Sequence, residues 1–390
     1  MHLADDPALR AFRERLRSWL AGQVPPAPEA GRPAVPDTEQ LRAWSKALYA
    51  AGYVGLTWPT EYGGHGLPTS YQAVYAEECA LADAPDQVNV IGLGMVGPTL
   101  IQHGSPRQKA AHLRAILRGD TICCQGFSEP EAGSDLAAVR TRGRRDGDGP
   151  GSAWILDGVK VWSSYAQLAD LCLLLARTDP EAARHRGLTC FLLDMRAPGV
   201  QVRPLRQLNG DADFSEITLA DVRVPAGCVL GTPGDGWRIA LTTLAHERGT
   251  FGITLTARLA RQLQRLIRTA RELGAADDPA VRRELAALHV TMQGLRYTGY
   301  RALAEAEQAG QPSPASSILK LRWSEASQQA TALALRLLGT DGALAGEAAF
   351  WGGYWQHQRL RSRANSIEGG TSEILRSIVA DRVLGLPRAR

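Results

Sequence analysis

The sequence is 390 residues long, 44% hydrophobic and 22% charged, with a formal net charge of +4 at pH 7. A chain of this length and composition can bury a large core, either as one large unit or as two to three domains. The net charge is mild and is not concentrated in a basic block. This excludes the basic surface of a nucleic-acid-binding protein but fits an anionic small ligand.

The first predicted elements are helices, from residue 1 to about 118. The segment ALRAFRERLRSWL repeats apolar residues every three to four positions, and Ser105 with Pro106 is a typical start of another helix. The opening segment is too charged for the apolar region of a signal peptide, and the sequence has no apolar run long enough to span a membrane. We therefore expect a cytoplasmic protein without a membrane span.

Within this helical region GLGMVG, Gly92 to Gly97, satisfies the GxGxxG pattern of a Rossmann dinucleotide site. Pro98 follows at once, and no alternation of strands and helices continues downstream. We therefore interpret these glycines as a tight helix-packing or turn segment.

The period of the apolar residues changes to two from about residue 119 to 232, which predicts a β domain. Asp157-Gly158 lies between two alternating runs and predicts a hairpin turn. The six cysteines of the chain form no CxxC pair, and no paired histidine spacing is present. We therefore expect free thiols, and neither a disulfide framework nor a metal site is indicated.

Helical periodicity returns beyond Trp237 and lasts almost to the end, beginning with a proline-free stretch to about Arg271. The order of elements is helices, then a β domain, then long helices. We expect domain boundaries at 1–118, 119–232 and 233–390.

Two segments of the β region carry candidate binding groups. The segment CQGFSEPEAGSDLA, residues 124–137, combines hydroxyls, glycines and a proline-fixed bend. It is either a structural loop or a source of N–H and O–H donors for a planar, polar-edged ligand. Trp162 and Ser164 are two positions apart and share one face of a strand by the two-residue period. Trp162 is either ordinary core or a wall against an aromatic cofactor.

Five segments together resemble the acyl-CoA dehydrogenase family of flavoproteins, in that family's order and approximate spacing. They are WPTEYGGHG at 58–66, GFSEPEAGSD at 126–135, GVKVWSS at 158–164, HERGTFG at 246–252 and GGTSEILRSIVADRVLGLPR at 369–388. The resemblance implies an α+β, mainly helical fold, with an N-terminal helical domain, a middle β-barrel-like domain and a C-terminal four-helix bundle. It also implies FAD, held between the latter two domains and across a subunit interface.

The resemblance implies roles around FAD for matched positions. Ser128 matches the hydroxyl at the pyrimidine edge of the isoalloxazine, and Gln125 and Phe127 line the same strand. Trp162 matches the aromatic wall against the flavin, and Ser164 matches the hydroxyl near flavin N5.

Further matched positions concern the substrate arm and the rest of the cofactor. Ser134 matches the family serine that touches the acyl-carrier arm. Thr371 and Glu373 fall where the family contacts the diphosphate and adenosine of FAD. Thr371 or Ser372 also suits the N-cap of the following helix, with Glu373 favourable in its first turn, and both roles are compatible.

The resemblance departs from the family pattern at the adenosine end of FAD. Many relatives have RxxFG followed by glutamine where this chain has RTARELG, so Arg271 is the expected substitute. RLLGTDG at 336–342 replaces QxxGGxG and leaves Arg336 as a second candidate. We expect this end of FAD to be bound differently, or partly by another polypeptide, because some relatives assemble as heteromers.

Acyl-CoA dehydrogenases remove an α-proton from a thioester while the β-carbon delivers hydride to flavin N5, so a desolvated carboxylate must act as the base. The family carries this base either directly before a GTS sequence or on a helix, in an ER pair like that of HERGTFG. The GTS frame of this chain leaves Gly369 at the loop position and Glu368 one residue out of register. Glu247 is therefore the predicted base, and Glu368 a solvated or hydrogen-bonded edge.

Glu247 is flanked by Leu244 and Phe251 at helical contact spacing. Gly249 and Gly252 lie nearby, where the missing side chains let a ligand approach the backbone. A structural ion pair is the alternative role for this helical glutamate.

Two further groups complete the predicted site. An unpaired buried glutamate is costly, so either Arg248 or another partner neutralises the Glu247 carboxylate, or its proton affinity is raised. Arg248 is also a candidate substrate contact. The Gly369 N–H is expected to polarise the thioester carbonyl.

The expected substrate is an acyl-CoA or an acyl group on a carrier protein, and the expected electron acceptor is an electron-transfer flavoprotein. We expect a homodimer or homotetramer, with a heteromer as the alternative. Two competing functions remain open: an oxygen-reactive oxidase or monooxygenase of the same fold, and a catalytically silent FAD-binding subunit.

Overall fold

The computed structural model describes residues 6–24, 38–147, 149, 151–309, 313 and 315–387, and the side chains of residues 247–251, 307 and 309 lie outside this description. The chain folds as two compact units. The helical unit comprises residues 1–35, 68–85 and 248–390, and the sheet unit comprises residues 36–67 and 86–247.

The described helices have the following bounds. They are α1 (Pro7–Gln23), α2 (Thr38–Ala50), α3 (Thr69–Leu81), α4 (Gly97–His103), α5 (Pro106–Arg118), α6 (Gly236–Glu272), α7 (Pro279–Ala309), α8 (Ser316–Leu338), α9 (Tyr354–Ser362) and α10 (Ser372–Ile378). The described strands are β1 (Cys123–Gly126), β2 (Arg142–Asp146), β3 (Ala153–Ser164), β4 (Leu171–Arg177), β5 (Leu188–Asp194), β6 (Val200–Leu205), β7 (Phe214–Val224) and β8 (Val229–Leu230).

The described strands of the sheet unit form an eight-stranded sheet in the order β6-β7-β3-β2-β4-β5-β8, and β1 pairs with β4 in parallel. The long strand β3 pairs antiparallel with both β2 and β7. Alternate side chains of these strands form one core that includes Leu156, Leu174, Phe191 and Ile217. This packed sheet is the support for β1 and β3, which carry most of the predicted flavin contacts.

Four helices of the helical unit, α6 to α9, share one hydrophobic core. Leu255, Leu259 and Leu263 of α6 repeat every four residues and place one apolar stripe in this core. Trp355 of α9 is fully buried, and its Nε1 donates to Thr269 Oγ1 at 2.8 Å. The helical bundle expected near the C-terminus is therefore present.

Ser105 caps α5 as the sequence predicts. Its Oγ accepts the Gln108 N–H at 3.3 Å, the Gln108 side chain accepts the Ser105 N–H at 2.9 Å, and Pro106 is the first helical residue.

The GLGMVG segment is closely packed within the sheet unit and forms a π-helical turn that runs into α4. A Cβ at Gly97 would lie 2.1 Å from the ring of Trp58, and a Cβ at Gly92 would lie 2.2 Å from Oδ1 of Asn89. Asn89 Oδ1 accepts the Cys123 N–H at 2.8 Å, at the start of β1. These glycines make room for packing, so the packing interpretation is confirmed.

The hairpin predicted at Asp157-Gly158 is wrong, because β3 runs through both residues without interruption. The pairing of β3 with β7 shifts register between Leu156 and Gly158, and the φ of Gly158 is 152°. A Cβ at Gly158 would lie 2.6 Å from Thr141 Oγ1. The glycine therefore permits a bulge with close backbone approach inside one long strand.

The cysteines are free thiols, as predicted. Burial raises the pKa of Cys123 and of Cys190 well above the ordinary value, so these two thiols stay protonated and unreactive at neutral pH. In the described part of the chain, no helix combines the length and the hydropathy that crossing a bilayer requires.

Candidate active site

The predicted flavin-ring contacts come together where β1 ends beside β3. Gln125 lies half-buried on β1, and the buried Phe127 and half-buried Ser128 follow it closely in the chain. The Val161 N–H of β3 donates to the Ser128 carbonyl at 2.9 Å. This bond holds the segment that ends β1 next to Trp162.

Trp162 lies on the surface of the sheet unit. Its φ of 59° falls in the left-handed region that few non-glycine residues adopt, and the pairing of β3 with β7 shifts register between Lys160 and Ser163. The indole is 58% exposed and meets the ring of Phe214 edge-on, with 6.0 Å between the centroids. Ordinary core is therefore excluded as the role of Trp162.

Ser164 ends β3, opposite Phe214 of β7. The bulge interrupts the regular two-residue period on which its shared face with Trp162 was predicted. Burial nevertheless alternates here, with Trp162 exposed, Ser163 buried and Ser164 half-buried. This alternation is compatible with the predicted shared face.

A buried ion pair that no sequence pattern indicated adjoins these residues. Lys160 is fully buried, and its Nζ donates to Glu129 Oε1 at 2.8 Å and to the Phe127 carbonyl at 3.1 Å. The Glu129 carboxylate also accepts the N–H groups of Arg140 at 2.6 Å and Thr141 at 2.8 Å. The pair therefore ties β3 to the segment that follows β1.

Burial lowers the pKa of Lys160, and the neighbouring Glu129 compensates only in part. Burial also acts to raise the pKa of Glu129, but the Lys160 ammonium and the hydrogen bonds to the carboxylate outweigh it and hold that pKa below 4.5. Glu129 is therefore ionised at neutral pH. The sequence carries no signal for this pair, because Lys160 alternates with Val159 and Val161 as a solvent-facing strand residue would.

The helix that carries the predicted base runs unbroken as α6. The side chains of Glu247, Arg248 and Phe251 lie outside the described residues, and the roles predicted for them stay predictions. A Cβ at Gly252 would lie 2.5 Å from Leu319 of α8. Gly252 therefore serves helix packing, a role that the sequence did not indicate, and the approach of a ligand at Gly249 and Gly252 stays a prediction.

Glu368 forms an ion pair in the loop that follows α9. The Arg361 guanidinium donates to both of its carboxylate oxygens, at 2.9 and 3.3 Å. A carboxylate held in this way is a poor candidate for a free base. The prediction of a hydrogen-bonded edge is confirmed.

The same loop leads into α10 through Gly369, whose φ is 60°. Thr371 Oγ1 accepts the Ile374 N–H at 3.3 Å, so Thr371 is the N-cap of α10, as predicted. Glu373 is largely exposed and lies 3.9 Å from Arg376. A capping threonine still leaves its backbone N–H group outside the helical hydrogen-bond pattern.

The remaining predicted residues are exposed residues of other segments. Ser134 is exposed in the turn between β1 and β2, and Arg271 is exposed at the end of α6. Arg336 of α8 is engaged in an ion pair with Glu284 of α7. None of these positions gains a specific ligand geometry from the structure.

A cavity of about 410 Å³ lies among α3, α6 and α7 of the helical unit. Ile253, Leu263 and Met292 supply apolar wall, and Glu77 and Tyr300 supply polar groups. None of the described residues that line the cavity is a predicted site residue. The main described groups of predicted residues are the β1–β3 segment of the sheet unit and the loop after α9 of the helical unit.

Family models for acyl-CoA dehydrogenase match the chain in three consecutive parts. The N-terminal domain matches residues 6–120, the middle domain residues 124–222 and the C-terminal domain residues 234–384.

The chain is also similar to individual relatives over nearly its full length. It is 41% identical over 384 residues to acyl-CoA dehydrogenase IpdE1 of Mycobacterium tuberculosis, with 97% of each chain covered. The solved structure described as the Tcur3481-Tcur3483 steroid ACAD matches with a TM-score of 0.86 at 31% identity, covering 100% of both chains. The ChsE4-ChsE5 complex of M. tuberculosis matches with a TM-score of 0.85 at 29% identity, again covering 100% of both chains.

The matched domains stand in the same order as the helices, sheet and helices of this structure. From these matches and the residue pattern at β1, β3 and the loop after α9, the chain belongs to the acyl-CoA dehydrogenase family of flavin-dependent enzymes.

Proposed function

We propose that the chain catalyses FAD-dependent α,β-dehydrogenation of an acyl thioester, linked either to CoA or to a carrier protein. Family membership supports the reaction class. The observation that carries the cofactor assignment is the exposed indole of Trp162, held at a φ of 59° directly after the residue whose N–H binds the Ser128 carbonyl. Local backbone strain that exposes a large apolar ring is typical of a ligand-binding position.

The residues at β1 and β3 fit the ring system of FAD. Gln125, Phe127 and Ser128 would face its pyrimidine edge, Trp162 would cover one side of the ring, and Ser164 would place a hydroxyl near N5. Bound FAD would supply an acceptor for the hydride that leaves the β-carbon of the substrate.

The other end of the cofactor is expected to lie with Thr371, Glu373, Arg271 and Arg336. Thr371 offers a backbone N–H at the start of α10, where anionic groups bind favourably. Arg336 is already paired with Glu284. We propose that a second polypeptide completes the binding of the adenosine end.

Glu247 is the proposed base. Its carboxylate accepts the α-proton, the electron pair of the α C–H bond becomes the new double bond, and the β-hydrogen leaves with its own electron pair. The Gly369 N–H stabilises the charge that develops on the thioester carbonyl, and Arg248 is the proposed partner of the Glu247 carboxylate and a proposed substrate contact. Ser134 contacts the carrier arm of the substrate.

The experiment is an anaerobic titration of the FAD-loaded chain with a panel of acyl thioesters, followed by flavin absorbance. Because a relative at 31% identity is described as a steroid ACAD, the panel includes a steroid-derived acyl-CoA beside linear and branched ones. Bleaching by one or more thioesters supports the proposal. Rapid recolouring in air with matching peroxide contradicts it in favour of an oxidase, and absence of bleaching until a partner chain is added contradicts it in favour of a silent subunit.

We propose an electron-transfer flavoprotein as the acceptor of the reduced enzyme's electrons. For assembly we propose a homodimer or homotetramer, with a heteromer as the alternative suggested by relatives such as the ChsE4-ChsE5 complex. Sedimentation of the FAD-loaded chain distinguishes these states.

Replacing Trp162 with alanine is expected to weaken FAD binding by about twofold to tenfold, because an aromatic contact contributes about 0.5–1.5 kcal/mol. The free energy of unfolding of the chain without FAD is expected to change by less than about 0.5 kcal/mol, since the indole is exposed. Fluorescence titration with FAD and chemical denaturation measure the two effects.

The matched control is Leu208→Ala, which removes another exposed apolar side chain from the same unit. Trp162→Phe keeps an aromatic ring and is expected to retain most of the affinity. Equal FAD affinity in Trp162→Ala and in the wild type would remove Trp162 from the site.

A further inference from the structure

A row of polar side chains runs along one face of α8. Lys320, Ser324 and Gln328 are spaced by four residues, and Ser327 and Thr331 adjoin them at helical spacing. Lys320 is 5% exposed, and Ser324 and Thr331 are fully buried. Polar groups buried on a bundle helix are costly unless they are hydrogen-bonded, so their partners show what the row does.

The N-terminal part of the row binds carbonyl groups of the loop between α9 and α10. Lys320 Nζ donates to the Gly370 carbonyl at 2.7 Å. Ser324 Oγ lies 2.6 Å from the Asn365 carbonyl and 2.7 Å from the Lys320 carbonyl. The contacts with Gly370 and Asn365 join residues that are far apart in the chain, so they fix tertiary structure.

The C-terminal part of the row binds the last residue of α9 and the beginning of the same loop. Gln328 Nε2 donates to the Ser362 carbonyl at 3.0 Å, and Thr331 Oγ1 lies 3.3 Å from Ser362 Oγ. Asn365 is buried and donates from Nδ2 to Ser327 Oγ at 3.3 Å. The row therefore contacts the chain from Ser362, the last residue of α9, to Gly370 in the loop.

We propose that Lys320 is a positioning residue that fixes the backbone from Gly369 to Thr371. This inference rests on the proposed function, which puts the Gly369 N–H at the thioester carbonyl and Thr371 at the cofactor. The carbonyl that Lys320 binds belongs to Gly370, between these two residues. Gly369 and Gly370 have φ of 60° and 97° and lack side chains, so a bond from outside the loop must restrain them.

The bond from Lys320 also affects the N–H group at the other end of the same peptide group. The Gly370 carbonyl and the Thr371 N–H belong to one peptide group, and an ammonium donor is stronger than a neutral one. Polarising the carbonyl makes the Thr371 N–H a better donor. Lys320 thus strengthens a loop donor indirectly, through the peptide group that joins Gly370 to Thr371.

The test compares Lys320→Met with Thr269→Val by hydrogen exchange of the chain loaded with FAD. Methionine has a similar length and no donor, and Thr269→Val removes the buried bond to Trp355 elsewhere in the same bundle. Loss of a charge-assisted hydrogen bond is expected to speed exchange of the 366–371 amides by about tenfold to a hundredfold. Thr269→Val is expected to leave these amides within about twofold of the wild type.

A kinetic measurement adds a second readout. At saturating thioester, anaerobic flavin reduction is expected to be about tenfold slower in Lys320→Met than in Thr269→Val, with a smaller change in the thioester concentration at half-saturation. Lys320→Arg keeps a charged donor and is expected to recover part of the rate.

The inference is overturned if hydrogen exchange of the 366–371 amides is unchanged in Lys320→Met, or if exchange rises equally throughout the bundle. Either result decides against it regardless of the measured activity. If Lys320→Met does not fold, Lys320→Gln, which keeps a polar group but loses the charge and the reach, is judged by the same criterion. If no thioester reduces the flavin of the wild type, the proposed function is overturned. Hydrogen exchange of the loop amides still decides the role of Lys320 in that case.

Discussion

Glu247→Gln is expected to slow flavin reduction by an acyl thioester by about 10²- to 10⁴-fold, while FAD stays bound. Glutamine has nearly the same size and polarity but cannot accept the α-proton, and removal of a general base costs about this much. Anaerobic stopped-flow absorbance measures the rate of bleaching, and the spectrum before mixing reports the bound flavin.

Glu368→Gln is the matched control for this variant. Glu368 already receives two hydrogen bonds from Arg361 and has about a quarter of its side chain exposed. Losing a partly exposed ion pair of this kind costs little stability. Because Glu368 is also not the proposed base, the rate of flavin reduction in Glu368→Gln is expected to stay within about fivefold of the wild type. A slow Glu368→Gln beside a normal Glu247→Gln would reverse the assignment of the base.

Lys160→Met is expected to lower the free energy of unfolding by about 3–5 kcal/mol at neutral pH, because it leaves the buried Glu129 carboxylate without its ammonium partner. Chemical denaturation of the chain without FAD measures this loss. The control Arg203→Met breaks the solvent-exposed pair with Glu216 in the same unit and is expected to cost less than about 1 kcal/mol.

The pH dependence of this loss follows from the pKa of Glu129. In the wild type that pKa is held below 4.5, so the stability from the pair is complete above 4.5 and falls as the pH drops through the lower folded value. In Lys160→Met the ammonium that lowers the pKa of Glu129 is absent, so that pKa is expected to be higher than in the wild type, and the variant is expected to lose less stability on acidification. The difference in the free energy of unfolding between the wild type and Lys160→Met is expected to narrow on acidification.

A double variant separates the ion pair from the packing around it. Lys160→Met with Glu129→Gln removes both charges, so its loss of stability is expected to be smaller than the sum of the two single losses. Additive losses, or a gap that is independent of pH, would show that Lys160 and Glu129 are not coupled.

Local sequence signals predicted the features of this fold that depend on neighbouring residues. Ser105 with Pro106 predicted the start of α5, and Thr371 was one of two residues predicted to cap α10. The helical stretches and the change of period to two correspond to the helices and the sheet. Each of these features depends on contacts within a few residues, which periodicity and capping patterns record.

Contacts between distant residues account for most of what the sequence did not show. The Asp157-Gly158 pair was predicted to turn the chain, but Thr141 of a neighbouring segment requires a bulge there instead. Lys160 and Glu129 are 31 residues apart, and Lys320 and Gly370 are 50 apart. No local period links such residues, so the ion pair and the α8 row became visible only in the folded chain.

The candidate site was predictable to the extent that the family motifs cover it. The motifs placed Gln125, Phe127, Ser128 and Trp162 in one group, and the structure brings these residues together around the end of β1. The exposure of Trp162 could not be predicted, because the strand period gives a residue's face but not a local reversal of φ.

The most direct test of the proposed reaction counts its product. FAD-loaded chain is mixed anaerobically with a thioester that bleaches it, and the α,β-unsaturated thioester is quantified by mass spectrometry against the flavin reduced. The proposed reaction predicts one equivalent of unsaturated product for each flavin reduced, and none from Glu247→Gln within the same time. Flavin reduction without a matching unsaturated product would contradict it.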